Sequence, residues 1–237
     1  MSLFGDKQSF ALAVEPLAGP PQEPDPAAAA TWARMQLWVQ GKNLFEHTRR
    51  DLESFVDGVM WPSIYLARWL VHGWDERFLE APWPLPTTRR NARDVLELLN
   101  QRLMDLVEDE GPEEVEYELI DIRDKFITTH ALRAASAGAA LPSVYFSRHG
   151  DMISIAWRPS RSQDVAFHLD FEEADVPADL FLSTVQEFIR WVREELPTDE
   201  NVKEDAHLLD AWLNSVVNVD AAERALLYGT GLRDRWP

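Results

Sequence analysis

Twice along this chain, a stretch with the period of a half-buried strand gives way to a stretch with the period of an amphipathic helix. That order constrains the fold more than any single residue does. In the first block, QSFALAVE (8–15) and WARMQLWV (32–39) alternate toward apolar residues and read as strands. The proline-rich AGPPQEPDPAAAA between them makes an irregular connection that can end in a short helical turn at the alanines. Gly41-Lys42-Asn43 suits a turn, with Leu44 and Phe45 opening a third strand. Trp61, Tyr65 and Trp69, with Leu66 and Leu70, then recur at helical spacing, which predicts a helix over 62–72 with Pro62 in its first turn.

The segment APWPLPTTRR forbids both helix and central strand, and places a boundary near residue 87 between a Trp-rich region, 1–87, and an acidic region, 88–237. Val95, Leu98, Leu99, Leu103 and Leu106 predict a helix within 89–108, stopped by Gly111-Pro112. The stripe Val115, Leu119, Ile122, Phe126 predicts the next one, with Glu113 and Glu114 where the helix dipole favours negative charge. The strand texture returns at Val144-Tyr145-Phe146 and at 153–157, a hairpin turning through Arg148-His149-Gly150-Asp151, and VAFHLDF (165–171) would add a third strand. Phe181, Val185, Phe188, Ile189 and Val192 predict a helix over 178–196, and 201–228 reads as one or two helices ending near Gly229 and Gly231. Sheet, helices, sheet, helices is the signature of an α+β fold, in one large domain or two lobes, and not of a parallel βαβ series.

With 46% hydrophobic residues the chain can bury a core, and with no cysteine that core must hold by packing alone. Val59–Val71, the most apolar run, is broken by Pro62 and Arg68, so no membrane span is expected. The opening MSLFGDKQSFALAVEP has neither the basic start nor the cleavage pattern of a signal peptide, which argues for a cytoplasmic protein. The net charge of −18 is uneven: residues 1–100 hold 10 basic and 13 acidic side chains, residues 101–237 hold 13 and 28. Such a field opposes direct binding to nucleic acid or anionic membrane and favours a basic protein partner, although acidity also simply keeps a protein in solution.

No catalytic constellation outweighs a packing explanation, and no catalytic residue, metal site or cofactor is assigned. The chain has no Walker loop, no G-x-G-x-x-G and no HExxH. Ser136, in AASAG, followed by Asp151 and His168, has the order of a hydrolase triad, but a helix end needing small residues explains the same letters. Glu204-x-x-His207 is half of a carboxylate-bridged di-iron pattern whose second half is missing, and His168-x-Asp170 is a lone pair on one strand face. The tryptophans at 32, 38, 61, 69, 74 and 83 suit either a core or a ligand slot, and helical spacing of several favours the core.

Three binding readings remain. The first is an acidic docking face made of Glu113, Glu114, Glu116, Glu118, Asp170, Glu172, Glu173 and Asp175 for a basic protein partner. The second is an enzyme or small-molecule sensor with a pocket between the two regions, where His130, Arg133, Arg148, His149, Trp157 and His168 would converge. The third is an acidic mimic of nucleic acid, which needs carboxylates spaced like phosphates along one face.

Two stretches carry resemblances. FGDKQSFALAVEPL (4–17) with TWARMQLWVQGKNL (31–44) resembles the N-terminal strands of small bacterial immunity proteins that neutralise polymorphic toxins. THALRAASAGAALPSVYFSRHGDMISIAW (129–157) is similar to an accessory region of bacterial proteins with an ImmA/IrrE-type zinc peptidase domain, through His130, Arg133, Gly138, Pro142, Arg148 and Trp157. The peptidase HExxH is absent, so this likeness transfers no catalytic residue. Both imply a bacterial protein of immunity, defence or stress response; with the charge and the missing catalytic chemistry, the leading expectation is a non-enzymatic interaction protein.

Overall fold

Alternation of apolar and polar residues builds the first sheet. The computed structural model describes residues 1–20, 22–49, 53–79, 91–108, 112–137, 139–160 and 164–215. β1 (Ser2–Asp6) and β2 (Phe10–Pro16) form a hairpin, α1 (Pro26–Ala30) follows, and β3 (Trp32–Val39) pairs antiparallel with the whole of β2. The other edge of β3 takes β4 (Lys42–Asn43) and, beyond β5 (His47–Arg49) and β6 (Ser54–Val56), β7 (Val59–Pro62). Register puts Phe4, Leu12 and Leu37 on one face with Phe10, Val39, Val14 and Met35, all buried. The opposite face is polar: Arg34 pairs with Glu15 and Asp57, Gln36 Nε2 donates to Asp57 (3.1 Å), and Trp38 Nε1 donates to Gln36 (3.0 Å).

The turn after β3 is Gln40-Gly41, one residue earlier than the sequence suggested. Both have positive φ (48° and 82°), the backbone of a two-residue hairpin turn. Leu44 and Phe45 are buried just past β4 and do not start a strand, because Asn43 Oδ1 accepts from the Phe45 N–H (3.1 Å) and bends the chain. β1 itself escapes sequence reading because Gly5 breaks its pattern. That glycine has φ +79°, and a Cβ there would lie 2.3 Å from Phe10 O and 2.6 Å from Thr184 Oγ1.

The helices are α2 (Ser63–His72), α3 (Trp74–Arg77), α4 (Ala92–Glu108), α5 (Glu113–His130), α6 (Ala178–Glu195) and α7 (Lys203–Ser215), with 3-10 turns at Leu132–Ala135 and Glu200–Val202. Pro62, Pro112 and Pro177 stand immediately before α2, α5 and α6 in extended conformation, so Pro62 lies one residue outside the helix instead of in its first turn. Between α5 and α6 run β8 (Ser143–His149), β9 (Met152–Arg158), β10 (Val165–Phe167) and β11 (Glu172–Pro177). The expected hairpin is β8–β9, but its third strand is β11 and not the segment 165–171. Ala174 and Val176 alternate inward opposite Ile155 and Ile153, a pattern hidden by the charges around them. β10 instead joins β5 and β6 in a separate small sheet.

α6 ties the halves together. Its Phe181 meets Phe10 of the first sheet (4.5 Å between ring centres), Phe78 after α3 (4.7 Å) and Phe146 of β8 (6.1 Å), and Phe188 meets Phe4 (5.9 Å). The regions 1–87 and 88–237 thus share one core, running from Phe4 to Trp212. Arg68 of α2 fastens α7 and the start of α1 to it, donating to Asp205 (2.6 Å) and Asp25 (2.8 Å). Hydrogen bonds to Asp205 push the Arg68 guanidinium above its ordinary range, and the same guanidinium outweighs burial to hold Asp25 below the usual carboxylate range.

Arg77 is buried at the junction of α2, α3 and α5. Its guanidinium stacks on Trp69 at 3.5 Å, donates to Trp69 O (2.8 Å) and reaches Thr129 O. Burial pushes it down to about 9. Two carbonyl acceptors and a ring face replace the water it gave up. Among the described residues no helix is long and apolar enough to cross a membrane.

Candidate functional site

The α4–α5 hairpin packs on a core of its own. Ala92, Val95, Leu96 and Leu99 of α4, with Leu119 and Phe126 of α5, pack with Tyr145 of the third sheet in a second, smaller core. Every buried residue of α4 lies within 92–99 and every one of α5 within 119–130. The distal halves therefore project past the sheet. Arg93 anchors the proximal end, donating to Trp157 O (3.1 Å) and Glu172 O (3.0 Å), and Asn91 Oδ1 accepts from the Asp94 N–H (2.9 Å) as a helix cap.

The projecting end carries Asp105, Glu108, Glu113, Glu114, Glu116 and Glu118 against Arg102 alone among the described residues from 101 to 118. Glu113 and Glu114 are exposed, Glu116 and Glu118 half-buried. Three large apolar side chains are also exposed there: Met104 (55%), Val107 (50%) and Tyr117 (65%). Exposed apolar residues also occur elsewhere (Leu3, Phe55, Met60, Phe171), but here three lie within the same acidic helical end.

The other expected acids stand elsewhere. Glu172 pairs with Lys42, Glu173 accepts from Asn91 and lies 3.8 Å from Arg93, and Asp175 is exposed on β11 with Asp170 just before the strand. This is the anchored end of α4, and seventeen residues at 1.5 Å each put the projecting end about 25 Å away. The eight carboxylates form two groups and not one face, with two of the second group already engaged.

The six residues of the expected pocket are also dispersed. His130 is buried at the end of α5, its Nδ1 donating to Phe146 O (2.8 Å), and Trp157 is buried in the main core. Arg133 is exposed beside a shallow groove with Ser136, His149 is exposed at the end of β8, and His168 is exposed and bonded to Thr48 (2.7 Å). Only Arg148 lines a cavity between the regions. Burial, the largest influence, takes His130 down to about 4, with the Phe146 carbonyl opposing and the Arg77 charge adding to the depression. His130 is thus a neutral structural imidazole at neutral pH.

Ser136 follows a 3-10 turn, Asp151 sits in the β8–β9 turn and His168 faces Thr48, so the three do not meet as a triad. His168 and Asp170 lie past the end of β10 and share no strand face. Among the described residues no three histidine or acidic side chains gather closely enough to hold a metal ion. Trp61, Trp69 and Trp74 are core residues, and Trp83 lies outside the described residues, as do Gly229 and Gly231. No protein-family model, curated protein or solved structure matches this chain.

Proposed function

We propose that this is a non-enzymatic interaction protein, of the bacterial immunity, defence or stress-response kind that its resemblances imply, and that it docks a basic protein partner on the projecting end of the α4–α5 hairpin. One observation carries the reading: a helical hairpin extends beyond the sheet that anchors it, with six carboxylates and the exposed Met104, Val107 and Tyr117 at its far end. Long-range attraction from the carboxylates brings a basic surface in, and the apolar side chains give it something to bury. The division of the acids between two ends of α4 supports this over imitation of nucleic acid, which needs an unbroken run of charge.

Capture from the native host with the full chain tests the proposal, using wild type beside a Glu113→Gln, Glu114→Gln, Glu116→Gln, Glu118→Gln variant and a Met104→Ser, Tyr117→Ser variant. The expected result is a basic protein retained by wild type, lost from both variants and released by raised salt. Equal retention by all three chains, or retention indifferent to salt, rules the hairpin out.

A further inference from the structure

A groove of about 460 Å³ runs beside the C-terminal end of α5, between the 3-10 turn Leu132–Ala135 and the start of β8. That volume is within the range of small-molecule sites, roughly 300–1,000 Å³. Ile127, Leu141 and Phe167 give it an apolar wall, the last two buried. Arg133 is the one charged residue among the described residues that line it, in a chain whose net charge is −18. Its guanidinium is exposed and makes no ion pair or hydrogen bond among the described residues.

Beside that cation a nearly buried hydroxyl lacks a partner. Ser143, the first residue of β8, is 8% exposed, and its Oγ makes no hydrogen bond among the described residues. Ser147 Oγ, on the same face of the strand, is sealed off without a partner; Ser143 Oγ is not sealed, and it stands on the groove wall. A buried hydroxyl is normally satisfied, so one that opens on a groove is met by whatever fills it. Ala131 bridges Tyr145 in antiparallel register, so two residues further on Arg133 runs level with Ser143. The carbonyls that end α5 do not oppose an anion here. Those of Ile127, Thr128 and Thr129 are taken by the Ala131 N–H (2.9 Å), Trp69 Nε1 (3.4 Å) and Arg77.

We infer that this groove binds a small monocarboxylate with an apolar body. The carboxylate takes the planar fork of Arg133 and the Ser143 hydroxyl, and the body lies along Leu141 and Phe167. One guanidinium balances one negative charge, and the acidity of the rest of the chain works against a dianion such as a phosphate ester. The groove is separate from the docking end of the hairpin: along α5, Thr128 lies about 15 Å past Glu118 at 1.5 Å per residue.

Three probes, 3-phenylpropanoate, 3-phenylpropanamide and 2-phenylethyl phosphate, share one body and differ in head group, so titrating each into the full chain by calorimetry isolates the head. The carboxylate should bind best, at about 1 mM or tighter. Its neutral amide should bind at least about tenfold more weakly, as charged and neutral hydrogen bonds differ. Arg133→Gln should erase the preference for carboxylate over amide, and Ser143→Ala should weaken the carboxylate several-fold. Backbone amide resonances of Ala134 and Ala139 should move as 3-phenylpropanoate is added to wild type. Equal affinity of wild type for carboxylate and amide overturns the inference, as does tighter binding of the phosphate. So does a carboxylate preference that survives Arg133→Gln, or no binding to wild type at about 10 mM probe. A urea midpoint for each variant separates lost binding from lost fold.

Discussion

Acidification should weaken this fold through a single imidazole, by an amount that can be worked out. His130 is 8% exposed and held neutral, its pKa near 4 against about 6.5 in an unfolded chain. Above pH 6.5 the imidazole is neutral in both states and contributes nothing to the pH dependence. Below that value the unfolded chain takes up a proton that the folded one refuses, so stability falls as pH drops from about 6.5 to about 4 and then levels off. At 1.36 kcal/mol per pKa unit the full loss is about 3 kcal/mol, and about 2 kcal/mol of it is reached by pH 5. The neighbouring Arg77 remains charged throughout, and the depressed Asp25 loses its proton-free stabilisation only at still lower pH. His130→Gln keeps a donor for Phe146 O and removes the titration. Urea unfolding followed by tryptophan emission, for wild type and variant at pH 7.5 and pH 5, isolates the imidazole because every other group cancels in the difference. Wild type should lose about 2 kcal/mol more than the variant over that interval. An equal loss in both would show that His130 is protonated or solvated in the fold, and the burial argument would fail.

Two further substitutions probe the packing. Gly73→Ala places a Cβ 2.1 Å from Arg77 Nη2, and because that guanidinium is pinned between Trp69 and two carbonyls, the clash should cost about 1–3 kcal/mol. Combining it with Arg77→Met should recover part of the loss, a non-additivity readable from urea midpoints. Phe181→Ala removes the ring shared by Phe10, Trp74, Phe78 and Phe146 and should cost about 3–5 kcal/mol, with a single cooperative transition retained if the two regions unfold as one.

What the sequence made legible was whatever depends on local period. β3, α5 and α6 fall within a few residues of the stretches that their patterns mark, because apolar residues recur along each with the period of its own element. The pieces that stayed hidden depend on distant partners. β11 shows its apolar alternation only when Ala174 and Val176 meet Ile155 and Ile153, and β10 pairs with β5 more than a hundred residues before it. The proposed sites divide in the same way. The acids of the hairpin were visible as charge, but that they project, and that Asp170 to Asp175 stand at the other end of α4, depends on where the apolar stripe runs out.

The reach of α6 across to the first sheet has a consequence for how the protein is born. Phe4 and Phe10 wait for Phe188 and Phe181, so β1 and β2 emerge from the ribosome well before their cover is made. From the end of β7 at Pro62 to the end of α6 at Glu195, synthesis at about 5–20 residues per second takes roughly 7–27 s. For that interval the part of the apolar sheet face that Phe181 and Phe188 later cover stays open on the nascent chain, a surface prone to the wrong contacts until α6 has been made.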